Sequence, residues 1–238
     1  MLTKTKRCGP ANSLLAVITE FRDLQAADLD AIGSRCQWRK AIAGEVVLHY
    51  QDDGSSIFFI IEGTIRLTHY AKSGHEVILG ELNAGDMFGE LAAIDGQRRS
   101  ATGVARTDTL LAVMPAAAFL DLIRTSHPIA MATLRRLSGQ VRRLTERVFD
   151  FSTLAVRNRI HAALLQLAKD QVTGTNQAII TPVPTHIDLA NMISTHREAV
   201  TRELNELVRD KLIRREEHSI VILDIERLRR MVHAVRGR

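Results

Sequence analysis

Seven glycines between positions 44 and 89 decide what the first half of this 238-residue chain can become. A glycine inside a helix costs about 1 kcal/mol relative to alanine, so no long helix persists there. Among and just beyond these glycines lie short apolar, β-branched runs at 45–50, 56–61, 64–70, 76–82, 100–105 and 110–113. Turn chemistry separates them, as at Asp52-Asp53-Gly54, Glu62-Gly63, Ser73-Gly74 and Ala84-Gly85-Asp86. Strands spaced so closely predict a small antiparallel β-roll or barrel. Upstream, Leu14, Val17, Ile18, Phe21, Leu24, Leu29 and Ile32 stand at helical spacing, broken near 27–30, after a polar and loose lead over 1–13.

After Pro115 the period changes from strand to helix. Leu134, Leu137, Val141, Leu144, Val148, Phe151 and Ala155 follow alternating steps of three and four, an a/d stripe over three heptads. Arg135, Arg136, Arg142, Arg143 and Arg147 cover the other faces. The stripe predicts a two-stranded parallel coil, and with it a homodimer through the 134–155 helix. The competing cover for that stripe is the helix's own domain.

Charge divides unequally along the chain. Residues 1–128 carry 13 Lys+Arg against 15 Asp+Glu, a net of −2, and residues 129–238 carry 19 against 12, a net of +7. A basic second half fits a polyanion, although an arginine-rich solvated surface reads the same way. The last third adds order to that charge: an amphipathic helix over 157–168, a short strand over 178–183, two helices over 187–193 and 197–209, and a hairpin from 212–215 and 219–223. Asp224 caps a final arginine-rich helix. Two short helices joined by Ser194-Thr195-His196 match a helix-turn-helix, and the hairpin matches a wing. Val200, Leu204, Leu207 and Val208 form the inward stripe of the second helix, and Arg197, Glu198, Thr201, Arg202 and Asn205 lie elsewhere around it. Arginine takes guanine O6 and N7 together, and a glutamate accepts from cytosine N4. Thr195 and His196 complete the candidate double-stranded DNA contacts. The alternative is a charged face braced by a Glu198–Arg202 pair at i,i+4.

One segment of the β-rich half stands apart: Gly89-Glu90-Leu91-Ala92 opening a helical turn, with Arg99-Ser100-Ala101 following nine residues after Glu90. Backbone N–H groups and a guanidinium suit a phosphate, and a carboxylate suits a sugar hydroxyl. Together they describe a nucleotide whose phosphate and ribose are close. A purely structural Glu90–Arg99 ion pair is the other reading.

These strings resemble the CRP/FNR family of bacterial transcription regulators, over roughly residues 15–225, and most of all its cyclic-AMP receptor branch. Phe88-Gly89-Glu90-Leu91-Ala92 with Arg99-Ser100-Ala101 is similar to that branch's phosphate-binding cassette. The resemblance implies that Glu90 takes the ribose 2′-hydroxyl, while Gly89, Leu91, Arg99, Ser100 and Ala101 line the cyclic phosphate. Arg197-Glu198-Ala199-Val200-Thr201-Arg202 is similar to the branch's recognition helix, which implies a TGTGA-type half-site. In the family, hydroxyl residues of the dimer helix meet the purine. Counting back without gaps from Asn158-Arg159-Ile160 puts one on Thr145, but its neighbour is Leu144, and the stretch is about three residues short. The arginine reaching back to the pocket is then Arg142 or Arg143. Ser100 leaves cyclic GMP open beside cyclic AMP as effector.

The implied fold class is α+β, with a cyclic-nucleotide-binding β-roll over 1–128, a dimerisation helix and hinge over 129–155, and a winged helix-turn-helix over 156–238. RNA polymerase is an implied partner. An enzyme is the poorest reading, since no nucleophile–base arrangement is visible. Cys8 and Cys36 are too few for an iron–sulfur cluster, and His69 and His75 offer little for haem, so no metal or haem is expected. A different effector on the same DNA reader, or a regulatory module of an enzyme or channel, are the alternatives. No apolar run approaches the ~20 residues of a membrane span and no signal peptide is visible, so a cytoplasmic protein without membrane contact is expected.

Overall fold

The computed structural model describes residues 13–70, 76–169, 171–173 and 175–236. Cys8, the 1–12 lead and the Ser73-Gly74 turn lie outside the described residues. The chain divides into two compact units that part within one helix, between Ser138 and Gly139, with Glu76 and Val77 grouping with the second.

The first unit begins with two 3₁₀ turns, Ser13–Val17 and Thr19–Phe21, followed by α1 (Ala26–Ser34). The expected break at 27–30 is therefore corrected to 22–25. Leu15, Ile18 and Phe21, all fully buried, stand three apart, which is the 3₁₀ repeat and needs no α-helix.

Two four-stranded sheets follow. One has the order β1 (Gln37–Ala41), β8 (Thr109–Met114), β3 (Ile57–Glu62), β6 (Met87–Phe88). The other has β2 (Val46–Leu48), β7 (Thr102–Ala105), β4 (Thr64–Tyr70), β5 (Glu76–Asn83). The first sheet is held by antiparallel pairing such as Phe58 against Val113 and Phe58 against Phe88. Val47, Leu48, Ile65 and Ala105 of one sheet pack on Phe58, Ile60, Phe88 and Leu111 of the other. The opposite face of the first sheet packs on Leu15, Phe21, Ile32, Phe119 and Ile129. That double cover explains why Ile57 to Ile61 are five buried residues in succession rather than an alternation.

A short helix, α2 (Glu90–Asp95), leaves β6 and is bracketed by Gly89 and Gly96 in left-handed conformation. Then come α3 (Ala116–Thr125) and the long α4 (His127–Thr153). Arg136 of α4 donates to Asp86 at 3.0 Å and to the Met87 carbonyl at 2.8 Å, fixing the strand that leads into Gly89. Leu134, Val141, Leu144 and Val148 of α4 are each more than half exposed. The stripe ends at Phe151, because α4 stops at Thr153 and Ala155 instead caps the next helix.

The second unit contains α5 (Val156–Leu167), α6 (His186–Met192), α7 (Arg197–Arg209) and α8 (Ile225–Arg236) around a sheet. The sheet order is β11 (Ile213–Arg215), β12 (Ile220–Ile222), β10 (Gln177–Ile180), β9 (Val172–Thr173). Ile160, Leu164, Leu189, Val200, Leu204, Leu207, Ile222 and Leu228 fill its core. Asp224 accepts from the Arg227 amide at 2.8 Å, the cap expected for the last helix. At the end of α4, Arg147 donates to the Met192 carbonyl at 2.7 Å, and the guanidinia of Arg147 and Arg159 lie over the Phe151 ring at 5.5 and 5.1 Å. Among the described residues, no helix is long and apolar enough to cross a membrane.

Candidate functional site

Two separate places gather the residues singled out above, one in each unit. In the first unit the backbone does most of the positioning. Gly89 has φ +79°, and a Cβ there would lie 2.6 Å from the Arg99 guanidinium and 3.0 Å from the Ser56 carbonyl. Only glycine fits without displacing something. Glu90 follows as the first residue of α2 and is 5% exposed. Arg99 is 4% exposed and reaches inward: Nη1 donates to the Gly89 carbonyl at 3.0 Å and Nη2 to the Ser56 carbonyl at 2.7 Å. Its guanidinium also lies 5.5 Å from the centre of the Phe58 ring. Amide bonds tie its backbone to the 51–52 turn, Gln51 donating to Arg99 at 2.9 Å and Arg99 to Asp52 at 3.0 Å.

Burial lowers the Arg99 pKa from its ordinary value, while the charges of Asp52 and Glu90 raise it. A guanidinium stays charged in such a setting, so the roll encloses a desolvated cation beside a buried carboxylate. Ala101 is buried next to it, Ser100 is exposed, and Leu91 is 42% exposed on the outer side of α2. Gly89, Glu90, Arg99 and Ala101 are thus brought together. Thr145 stands in the second unit, exposed on α4, with its hydroxyl donating to the Val141 carbonyl at 2.9 Å.

In the second unit α7 presents one face to solvent. Arg197, Glu198, Thr201, Arg202, Asn205 and Arg209 line a single open groove along it. The helix enters from Ser194, whose φ of +51° makes the tight turn after α6, with the Thr195 amide donating to the Ala190 carbonyl at 3.0 Å. His196 is exposed at the N-cap, and Thr195 is half-buried.

The inward face of α7 departs from the expected stripe at two positions. Val208 is 39% exposed, whereas Glu203 is 6% exposed. At about 100° per residue, both sit well off the Val200–Leu204–Leu207 seam, on opposite flanks. The Glu203 flank faces α5, where His161 Nε2 approaches its carboxylate at 2.6 Å and Arg157 Nε donates at 3.0 Å. Burial lowers the His161 pKa, and the Glu203 bond opposes that. The Val208 flank faces water. The stripe expected Val208 inward and left Glu203 out; Glu203 is buried instead because its partners stand on α5.

A basic reading helix behind a wing, and a roll with a sealed arginine, meet their counterparts among known proteins. Residues 38–126 match the cyclic nucleotide-binding domain model, and residues 158–231 match the Crp-like helix-turn-helix domain model. The chain belongs to the CRP/FNR family of transcription regulators. Curated relatives of this CRP/FNR regulator include the cAMP-activated global transcriptional regulator Vfr of Pseudomonas aeruginosa, 27% identical over 82% of this chain and 92% of the relative. A CRP-like cAMP-activated global regulator of Mycobacterium tuberculosis is 27% identical over 92% of this chain and 98% of its own length. Among solved structures, a CRP/FNR transcriptional regulator of Thermus thermophilus is 28% identical with TM-score 0.64, covering 84% of this chain and 100% of that one. The c-di-GMP responsive global regulator CLP of Xanthomonas campestris shares the fold, with TM-score 0.71 at 21% identity over 83% of this chain and 99% of that one. The CRP/FNR chain is therefore a DNA-binding transcription regulator with a cyclic-nucleotide domain, not an enzyme.

Proposed function

We propose that this regulator is a cytoplasmic homodimer whose binding to a palindromic TGTGA-type site is switched by cyclic AMP. The observation that carries the effector is Arg99: a cation 4% exposed, held by two backbone carbonyls, beside a carboxylate 5% exposed. A buried cation of this kind favours an anion that can displace its weaker carbonyl partners. Cyclic phosphate meets Arg99, with Gly89, Leu91, Ser100 and Ala101 around it, and Glu90 accepts from the ribose 2′-hydroxyl. Thr145 meets the purine, with Arg142 or Arg143 reaching toward the pocket. The exposed a/d residues of α4 pair with those of a second copy. Arg197, Glu198 and Arg202 read bases, Thr201, Thr195 and His196 add contacts, and RNA polymerase is the partner at the promoter.

The domain roles follow the three segments 1–128, 129–155 and 156–238. Switching requires that cyclic AMP bind one arrangement of the dimer more tightly than the other, since equal affinity shifts nothing. Cyclic GMP is the second reading. Ser100 is exposed and free to meet a guanine amino group, and Leu144 supplies no hydroxyl next to Thr145.

Calorimetry with cyclic AMP, cyclic GMP and cyclic di-GMP on wild type and Arg99→Ala tests the reading. Cyclic AMP should bind tightest, and the variant should lose about 1.5–3 kcal/mol, roughly ten- to hundredfold. Unchanged affinity in Arg99→Ala overturns the pocket assignment. Gel shift of a TGTGA palindrome should need cyclic AMP, and equal shifts without it overturn the switch while leaving the DNA assignment standing.

A further inference from the structure

His186 opens α6 and joins a groove-lining residue of α7 to the wing, two elements that meet DNA. Its Nδ1 lies 2.8 Å from Thr201 Oγ1 on α7, and its Nε2 lies 3.3 Å from an Arg215 guanidinium nitrogen on β11. The directions of these bonds are fixed by their neighbours. Thr201 has one hydroxyl proton, and it goes to the Arg197 carbonyl at 3.0 Å. Thr201 Oγ1 must therefore accept from His186 Nδ1–H. Arg215 can only donate, so Nε2 must accept. Both demands are met by one species, the neutral imidazole with its proton on Nδ1. The chain runs Arg215 to His186 to Thr201 to the Arg197 carbonyl, wing to reading helix.

The charges around the ring hold it in that state. Arg215 faces it from β11 and Arg197 from α7, while Asp188 on α6 itself is buried. Burial first, and then the two arginine charges, keep the His186 pKa below its ordinary value. The cleft beside it, lined by Thr185, His186, Ile187 and Arg197, shares Arg197 with the groove of α7. Anything polyanionic laid along α7 brings its negative charge to this ring.

We infer that His186 is a titrating member of the DNA interface, neutral and wired between wing and reading helix in the free protein, and protonated when duplex phosphates settle beside Arg197 and Arg215. The proton comes from solvent and adds to Nε2. That nitrogen then turns from acceptor to donor, so its bond from Arg215 breaks, and both cations face the phosphate. Nδ1–H stays on Thr201, so the reading helix keeps its place. Phosphate charge supplies what the free protein lacks, a reason for the ring to be cationic. The inference rests on α7 being the DNA-reading helix.

The test is calorimetry of the full-length protein, with and without cyclic AMP, on a duplex carrying a TGTGA inverted repeat. Titrations near pH 7 in buffers of different ionisation enthalpy count the protons taken up. His186→Asn keeps an amide N–H at the Nδ1 position and removes the titration. Wild type should take up more protons than the variant, by up to about one per subunit, and its affinity should rise more steeply as pH falls from 8 to 6. Equal counts in the two proteins overturn the inference and leave the DNA reading intact. No binding by wild type to any duplex overturns that reading and this inference together. Nitrogen chemical shifts of labelled histidine in the free wild-type protein give an independent check needing no variant. An Nδ1–H tautomer supports the wiring, and an Nε2–H tautomer overturns it.

Discussion

Arg99 and Arg202 carry the same guanidinium into opposite surroundings. Arg99 is sealed in the β-roll, its donors directed at two carbonyls and its plane near an aromatic ring. Arg202 stands exposed in an open groove with Arg197, Thr201 and Asn205. A small ligand offers few contacts, so each must be strong, which requires a desolvated and preoriented partner. A duplex offers many phosphates and base edges, so its reader needs exposed, screened and numerous charges. The difference predicts where substitutions act through the fold and where they act through the surface.

The largest effect should come from Gly89→Ala, because the methyl meets the Arg99 guanidinium at 2.6 Å and the left-handed backbone disfavours any side chain. Cyclic AMP affinity should fall by more than about a hundredfold, and the unfolding free energy should drop by about 1–2 kcal/mol. A variant that binds normally would show that the pocket does not depend on that close approach. Arg202→Ala should instead leave cyclic AMP binding and stability unchanged. It should relax base choice by about 1–3 kcal/mol and flatten the salt dependence of DNA binding. Competition gel shifts with single-base variants of the half-site, at two salt concentrations, read both effects.

A smaller effect separates the inner and outer faces of α7. His161 is buried and its pKa lowered, chiefly by burial. A histidine depressed in the folded state stays neutral there while the unfolded chain takes up a proton. Stability is therefore whole above the unfolded value near 6.5 and declines as pH falls below it. The unfolding free energy, from denaturant titrations, should drop by about 1 kcal/mol between pH 7.5 and 5.5 and drop less in His161→Gln. The smallest effect belongs to Arg35→Ala, whose pair with Asp121 at 2.6 Å is close to half exposed on both sides. Screening should hold its cost below about 1 kcal/mol, visible only as a slight change in the denaturation midpoint.

The roll was legible because glycine punctuation and strand alternation are local signals, and β4 falls where its run predicted, at Thr64–Tyr70. β1 was not, since Gln37-Trp38-Arg39-Lys40-Ala41 has neither strong alternation nor turn residues at its ends. It becomes a strand by pairing with β8, some seventy residues later, as Arg39 opposite Leu111. The reading helix was legible to the residue, Arg197–Arg209, because its outward charges and inward apolar seam are written in one turn-by-turn pattern. Glu203 was not, because its partners Arg157 and His161 lie more than forty positions away. Gly89 and Glu90 beside Arg99 were named in advance, but Ser56 and Phe58 were not, because a backbone carbonyl and a ring some forty residues earlier leave no local signal.

Arg147 gives the end of the long helix a mechanical meaning. By gripping the Met192 carbonyl while stacking with Arg159 on Phe151, it splices the last turns of α4 to the first helix of the reading motif by a route other than the polypeptide itself. A rotation of the last turns of α4 would therefore pull on α6 through this bond as well as through the Leu154-Ala155 link.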